Sequence, residues 1–265
     1  MGSDRSPPTG KALCEGMVSF AGAKKRYTAP YMITFADKVI QFNKQLTYTG
    51  SALPKSIRIL NPFRNHGETM GIVESFYHKY YNDNRSRMIV LGINPGRFGA
   101  GLTGIPFTDP KRLHSECHID YKGKITHEPS SVFVYEVIKA YGGVEAFYGD
   151  YYINSLCPLG FTSAAADGKE KNFNYYDSRD LMDSVYPFIV KNIRNQISMG
   201  VKTDACICLG TGKNEKFLRR LNEEYQFFGK IIALEHPRFI MQYKTRSRQD
   251  YIDKYVSVLK DLNKS

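Results

Sequence analysis

The chain has 265 residues, with 37 Lys and Arg against 26 Asp and Glu, a net charge of +11 and a pI near 9.3. It contains no run of 18 apolar residues and no apolar signal core, so neither a membrane span nor secretion is expected. Its five cysteines form no CxxC pair, which argues against a disulfide framework and favours a reducing compartment. The strong basic balance favours a polyanionic partner, nucleic acid before membrane.

The predicted elements alternate between helices and strands. Residues 1–30 show little periodicity and are expected to be disordered, whereas residues 31–265 are expected to form a single domain. Apolar residues at helical spacing predict helices over 31–47, 68–83, 131–141, 177–198, 214–225 and 249–262. Apolar runs predict strands over 88–93, 151–153, 205–209 and 231–234, with 48–66 loop-like and 111–130 irregular. This order predicts an α/β fold, a three-layer α/β/α sandwich with a mostly parallel central sheet of about four strands.

The strand predicted at 88–93 runs into a glycine-rich loop with the sequence GINPGRFGAGLTGIPF. Glycines at the carboxyl end of a parallel strand let backbone N–H groups approach a ligand closely. Asn94 opens this loop, and Arg97 is its only charged residue before Asp109. The loop therefore predicts a pocket for a flat, neutral, polar molecule rather than for a phosphate group.

Two more predicted strands end in polar residues. Asn154 lies in the segment NSLCPLGF, and His236 lies in the segment EHP. The carboxyl ends of parallel strands share one edge of a sheet, so Asn94, Asn154 and His236 are expected to converge. Each residue alone is more often a turn former or a cap, and it is their shared position that indicates a site.

Other motifs do not indicate a cofactor. The segment GTGK at 210–213 lacks the spacing of a P-loop, and the chain has no HExxH or GxSxG motif. His114, Cys117 and His118 resemble a metal cluster but have no fourth ligand at a convincing spacing. We therefore expect neither a metal nor a cofactor.

The segment Gly92–Phe107 resembles the first motif of the single-strand-selective monofunctional uracil-DNA glycosylases, without a gap. NSLCPLGF resembles the segment of that family that reads the base, and Leu234–Pro237 resembles its second motif. The resemblance covers roughly residues 55–262. Within the family, the chain most resembles a bacterial sister branch.

The resemblance implies a role for each matched residue. Asn94 would orient the attacking water, Phe107 would stack on a flipped base, and His236 would hydrogen-bond the pyrimidine O2. Asn154 would read the Watson–Crick edge of uracil. The pocket would be closed by Ile93, Gly96, Phe98 and Ala100. No lysine in the matched motifs is placed to form a Schiff base, so the resemblance implies hydrolysis without strand cleavage.

The chain departs from the family pattern after His236, where it reads PRFIMQY. One of Phe239, Ile240 and Met241 is expected to wedge into a duplex, or all three pack under the last helix. Basic residues nearby are candidates for phosphate contacts: Arg97, Arg238, Lys244, Arg246 and Arg248.

The resulting hypothesis is a glycosylase that flips uracil out of DNA, hydrolyses its N-glycosidic bond and leaves an abasic site. The alternatives are a glycosylase for other deaminated or oxidised bases, such as hypoxanthine, xanthine or a 5-substituted uracil, and an inactive DNA-binding homologue. DNA, single-stranded or double-stranded, is the expected partner, and no protein partner is evident. The expected location is the cytoplasm of a bacterium, at the nucleoid, or the nucleus of a eukaryote.

Overall fold

The central sheet has four strands, all parallel, in the order β3-β2-β6-β7. The computed structural model describes residues 32–65, 67–164 and 168–264. The four strands come from apolar runs of the sequence: β2 (Met88–Gly92), β3 (Tyr151–Ser155), β6 (Lys202–Leu209) and β7 (Ile231–Leu234). Strands β2 and β3 are buried along their whole length, as expected for a sheet covered on both faces. The predicted α/β fold with a parallel sheet of about four strands is confirmed.

A second, antiparallel sheet has the strand order β1-β4-β5 and was not predicted. Its strands are β1 (Ile57–Leu60), β4 (Gly160–Ala164) and β5 (Glu170–Phe173). The prediction of a loop over 48–66 was therefore wrong at β1. These strands have four or five residues and are partly exposed, so they lack the continuous apolar run that revealed the central sheet.

Helices flank the central sheet, and the six predicted helices are all present. The described residues form these helices: α1 (Phe35–Gln45), α2 (Pro62–Asn65), α3 (Gly67–Tyr81), α4 (Ala100–Thr103), α5 (Pro110–Ser115), α6 (Pro129–Tyr141), α7 (Val144–Asp150), α8 (Arg179–Ser198), α9 (Lys213–Tyr225), α10 (Pro237–Tyr243) and α11 (Arg248–Lys264). Helix α1 packs on α3, and α6 packs on α10 and α11. Helix α5 replaces part of the stretch that was predicted to be irregular, and α10 follows His236 directly.

Residues Ile33–Ser265 form one compact unit around a continuous apolar core. The prediction of disorder over residues 1–30 concerns residues outside the described part of the chain. Within that part, no helix combines the length and hydropathy that a membrane crossing requires. The parallel arrangement places the carboxyl ends of β2, β3 and β7 at the same edge of the sheet, which is where the candidate site lies.

Candidate active site

A cavity of about 260 Å³ opens at the carboxyl ends of the parallel strands. The loop after β2 supplies Asn94 and Phe107 to its wall, and the end of β7 supplies His236. Backbone hydrogen bonds extend the pairing of β2 with β3 into the loops, from Leu156 N to Gly92 O at 2.9 Å and from Cys157 N to Ile93 O at 3.0 Å. These bonds fix the beginning of the glycine-rich loop against the core.

His236 caps the N-terminus of α10. Its Nδ1 accepts a hydrogen bond from the backbone N–H of Arg238 at 3.1 Å. An acceptor at Nδ1 assigns the proton of the neutral ring to Nε2, which leaves an N–H donor for the cavity. Burial of the ring, followed by the positive charge of Arg238, lowers the pKa of His236 to about 4. The imidazole is therefore neutral at physiological pH and offers a donor without a positive charge.

Phe107 lies beside His236, with the ring centroids 5.7 Å apart and the planes inclined by 48°. Its backbone has a positive φ of 52°, a conformation that costs a residue with a side chain of the order of 1 kcal/mol or more. Gly92 makes room for the ring, since a β-carbon there would lie 2.9 Å from Cε2 and Cζ of Phe107. The loop thus holds a strained aromatic residue against the cavity.

The side-chain amide of Asn94 is held by the last residue of β5 and by the turn that follows it. Its Oδ1 accepts a hydrogen bond from Tyr175 N at 3.1 Å, and its Nδ2 donates to Phe173 O at 3.3 Å. These two bonds fix which end of the amide is oxygen. The second lone pair of Oδ1 remains available to accept a hydrogen bond from a water molecule.

The profile of the uracil DNA glycosylase superfamily matches residues 78–260, which include Asn94, Phe107 and His236. The chain belongs to the uracil DNA glycosylase superfamily. It is also similar to the crystal structure of wild-type SMUG2 from Pedobacter heparinus, with 70% sequence identity and a TM-score of 0.87. That match covers 88% of this chain and 100% of the SMUG2 chain, whereas no curated protein sequence matches. The protein is a DNA glycosylase, a hydrolase that acts on uracil-containing DNA in base excision repair.

The structure does not bring Asn154 of this glycosylase into the cavity, contrary to the role predicted for it. Its Nδ2 donates to the hydroxyl of Tyr152 at 2.6 Å, and its Oδ1 accepts from Ser155 N at 2.7 Å. Side chains alternate along a strand, so Asn154 and Ser155 lie on opposite faces of β3. Ser155 is the one that lines the cavity.

The other predicted pocket residues divide into two groups. Ile93, Gly96 and Ala100 line the cavity of the glycosylase. Phe98 does not, because its ring is 45% exposed and lies under the guanidinium of Arg97 at 4.5 Å. The aromatic ring of Phe98 is thus part of the outer surface of the loop.

The three candidates for a duplex wedge lie on α10 and differ in their exposure to solvent. Phe239 is 42% exposed and lines the cavity, whereas Ile240 is fully buried. Ile240 was therefore wrong as a candidate for the wedge, because its side chain packs in the core beneath α10. Met241 is partly buried and packs against the same core. Tyr243, which was not predicted, is 65% exposed and lies 5.5 Å from Phe239, centroid to centroid.

Most basic candidates lie near the same helix. Arg238, Lys244 and Arg246 are exposed, and Arg238 lines the cavity. Arg248 is partly buried and pairs with Glu136 at 3.2 Å, so its charge is already compensated. Arg97 has a buried Nε without a hydrogen-bond partner in the described part of the chain.

Several polar residues that line the glycosylase cavity were not predicted from the sequence: Glu128, Ser130, Ser155, Asn172, Asn174, Tyr176, Gln242 and Tyr243. Asn172 and Asn174 come from β5 and the turn after it, a strand that was not predicted. Ser155 lies on the face of β3 opposite to Asn154, and alternation alone does not show which of the two faces meets a cavity. No motif signalled Glu128, which reaches the cavity from the residue before α6.

Among the described residues, no group of three His, Cys, Asp or Glu side chains is placed to hold a metal ion. His114 lies 3.2 Å from Asp120 instead, and Cys117 is buried next to the hydroxyl of Tyr135.

Proposed function

We propose that His236, Asn94 and Phe107 carry out the hydrolysis of the N-glycosidic bond of a flipped uracil. The observation that carries this assignment is the neutral imidazole of His236, with its Nε2–H free in the cavity. Phe107 provides an apolar surface beside this donor, on which a planar base can stack. The neutral walls of the loop suit an uncharged base.

The chemistry requires stabilisation of an anion on the leaving base. As the C1′–N1 bond breaks, its electron pair moves to the base and charge develops at O2. A fixed N–H donor at that position is worth about 3 kcal/mol. Because the imidazole is already neutral and oriented by the N–H of Arg238, no proton transfer or reorientation is needed when charge develops.

Asn94 orients the attacking water. An amide oxygen accepts a hydrogen bond from water but does not deprotonate it, which suits attack on a sugar that already has strong cationic character. The bonds from Asn94 to Phe173 and Tyr175 keep this oxygen in place. The proposed step is direct hydrolysis, without a Schiff base.

Ser155, Asn172 and Asn174 are our candidates for reading the edge of the base, in place of Asn154. Asn172 is already committed through its Oδ1, which accepts from Arg97 N at 3.1 Å. Ser155 makes no side-chain hydrogen bond within the described part of the chain, so its hydroxyl is free to donate or accept. A rotatable hydroxyl discriminates less strictly than a fixed amide. Deaminated purines such as hypoxanthine are therefore a second class of candidate substrate.

The face around α10 is our candidate for the DNA contact. Arg238, Lys244 and Arg246 are exposed and form no ion pair within the described part of the chain, so their positive charge is available to phosphates. Phe239 and Tyr243 are exposed aromatic side chains next to the cavity mouth, suited to stacking on a base or filling the gap left by a flipped nucleotide.

The direct test is release of uracil from a labelled single-stranded oligonucleotide that carries one uracil. We expect the strand to break only after alkali treatment, and borohydride to trap no protein–DNA adduct. A parallel oligonucleotide with hypoxanthine tests the second class of substrate. Strand cleavage without alkali, together with a trapped adduct, would contradict the hydrolytic mechanism.

A further inference from the structure

Glu128 is the only acidic side chain among the described residues that line the cavity. It precedes α6 and reaches towards the glycine-rich loop. A β-carbon on Gly96 would lie 3.2 Å from its Oε1, and one on Gly99 would overlap its Oε2. The missing side chains of these two glycines, two and five residues after Asn94 in the loop, are therefore what admits the carboxyl group.

The carboxyl group has no ion-pair partner. None of the ion pairs in the described part of the chain includes Glu128. Its hydrogen-bond partner is the hydroxyl of Ser131, which donates to Oε2 at 2.9 Å. Its Oε1 makes no hydrogen bond in the described part of the chain. A carboxyl group held in a cavity without an ion-pair partner is costly, and such groups are concentrated at sites of proton transfer.

The reaction needs the two properties that Asn94 lacks, a negative charge and a basic oxygen. A breaking glycosidic bond leaves positive charge on the sugar, and the attacking water must lose a proton. We propose that the Glu128 carboxylate stabilises the cationic sugar and accepts the proton of the water that Asn94 orients. This inference rests on the proposed function.

The bonds and charges in this step balance. The C1′–N bond breaks with its electron pair moving to the base, and the water oxygen forms the new bond to C1′. Glu128 takes one proton from that water and later passes it to the departing base anion or to solvent. The products are the free neutral base and an abasic sugar, and the carboxylate is restored without an oxidant or a metal.

The surroundings of Glu128 place its titration in the neutral range. Burial raises the pKa of Glu128 to about 7; the Ser131 hydroxyl opposes this, Asp109 adds to it, and Arg238 lowers it. Asp109 itself is paired with Arg112 at 2.8 Å. On the loop that faces Glu128, the guanidinium of Arg97 stacks on Phe98, and His236 stays neutral above pH 4. Glu128 is thus the group in the cavity whose charge changes near pH 7.

The test is the single-turnover rate of uracil release from single-stranded DNA between pH 5 and 9. For the wild type we expect the rate to increase by as much as about tenfold per pH unit between pH 5 and 7, and to level off above pH 7. Glu128→Gln should be at least about 100-fold slower at pH 8, with a flat profile over this range. The exposed Glu223→Gln is the matched control and should keep the wild-type profile.

Ser131→Ala gives an independent readout that does not remove the carboxyl group. Because the Ser131 hydroxyl favours the ionised form, its loss should move the midpoint of the profile to higher pH while the plateau rate is kept. This variant decides the question if Glu128→Gln does not fold. An unchanged profile in both folded variants would overturn the role of Glu128 alone. A wild type that releases no uracil at any pH would instead overturn the proposed function.

Discussion

The rings of Phe107 and His236 lie 5.7 Å apart on the wall of one cavity, although 129 positions separate them in the sequence. Phe107 is placed by a strained backbone and by the open space over Gly92, whereas His236 is placed by the N-cap of α10. The stacking surface and the hydrogen-bond donor are thus fixed by independent parts of the fold. Such fixed geometry lets an enzyme stabilise developing charge without first reorganising its site.

Gly92→Ala should displace the Phe107 ring, because the new methyl group would lie 2.9 Å from two ring carbons. Displacement of a positioning group by about 1 Å costs up to about 100-fold in rate. We expect a loss of this order in single-turnover uracil release. Gly71→Ala is the control, since its β-carbon meets no atom within 4 Å and should leave the rate unchanged. A Gly92→Ala variant with the wild-type rate would show that the ring position is unimportant.

His236 should lower the stability of the folded protein in acid. Its pKa is about 4 when folded against 6.5 for an ordinary histidine, so between these values only the unfolded chain binds the proton. Stability is therefore lost as the pH falls from 6.5 towards 4, by about 2 kcal/mol between pH 7 and 5. Urea unfolding of the wild type and of His236→Gln at both pH values measures this contribution. Equal pH dependence in the two proteins would contradict a buried neutral imidazole.

Glu128 should act on stability in the opposite direction. Its pKa of about 7 lies above the ordinary 4.5, so the ionised form that prevails above pH 7 is more costly in the folded state than in the unfolded state. Its cost to the folded protein is small near pH 5, grows as the pH rises from about 4.5 to 7, where only the unfolded chain has lost the proton, and levels off above pH 7. Glu128→Gln should therefore be more stable than the wild type at pH 8, by about 2 kcal/mol more than at pH 5. Thermal and urea unfolding at the two pH values measure the difference, and a stability difference between variant and wild type that is the same at pH 5 and pH 8 would refute the raised pKa.

Phe239 and Ile240 are neighbours with different expected effects on activity. Phe239→Ala removes an exposed ring at the cavity mouth and should lower the rate on double-stranded uracil DNA about tenfold more than on single strands, since only the duplex must be unstacked. Ile240→Ala removes a buried side chain, and should cost about 2–5 kcal/mol of stability with no such selectivity. Rates on both substrates, corrected for the folded fraction, test this. Equal losses for Phe239→Ala on the two substrates would rule out its action as a wedge.

Long apolar strands and the motifs at their ends were predictable from the sequence because burial on both faces leaves a continuous signal. This is why the residues of the loop after β2, and His236 after β7, were found. Ser155 rather than Asn154 lines the cavity, since neighbouring residues of a strand lie on opposite faces and the sequence does not show which face meets a cavity. Glu128 could not be found, because its position depends on packing against Gly96 and Gly99, which are remote in the sequence.

His236 is the donor to the leaving base on which the proposed hydrolysis most directly depends. We would measure single-turnover release of uracil from a single-stranded oligonucleotide by the wild type, by His236→Ala and by His114→Ala. His114 is exposed and pairs only with Asp120 in the described part of the chain, which makes it a matched control. A loss of about 100-fold or more in His236→Ala, with no loss in His114→Ala, is the predicted result. Wild-type rates in a folded His236→Ala variant would show that the cavity does not use this imidazole and would contradict the account.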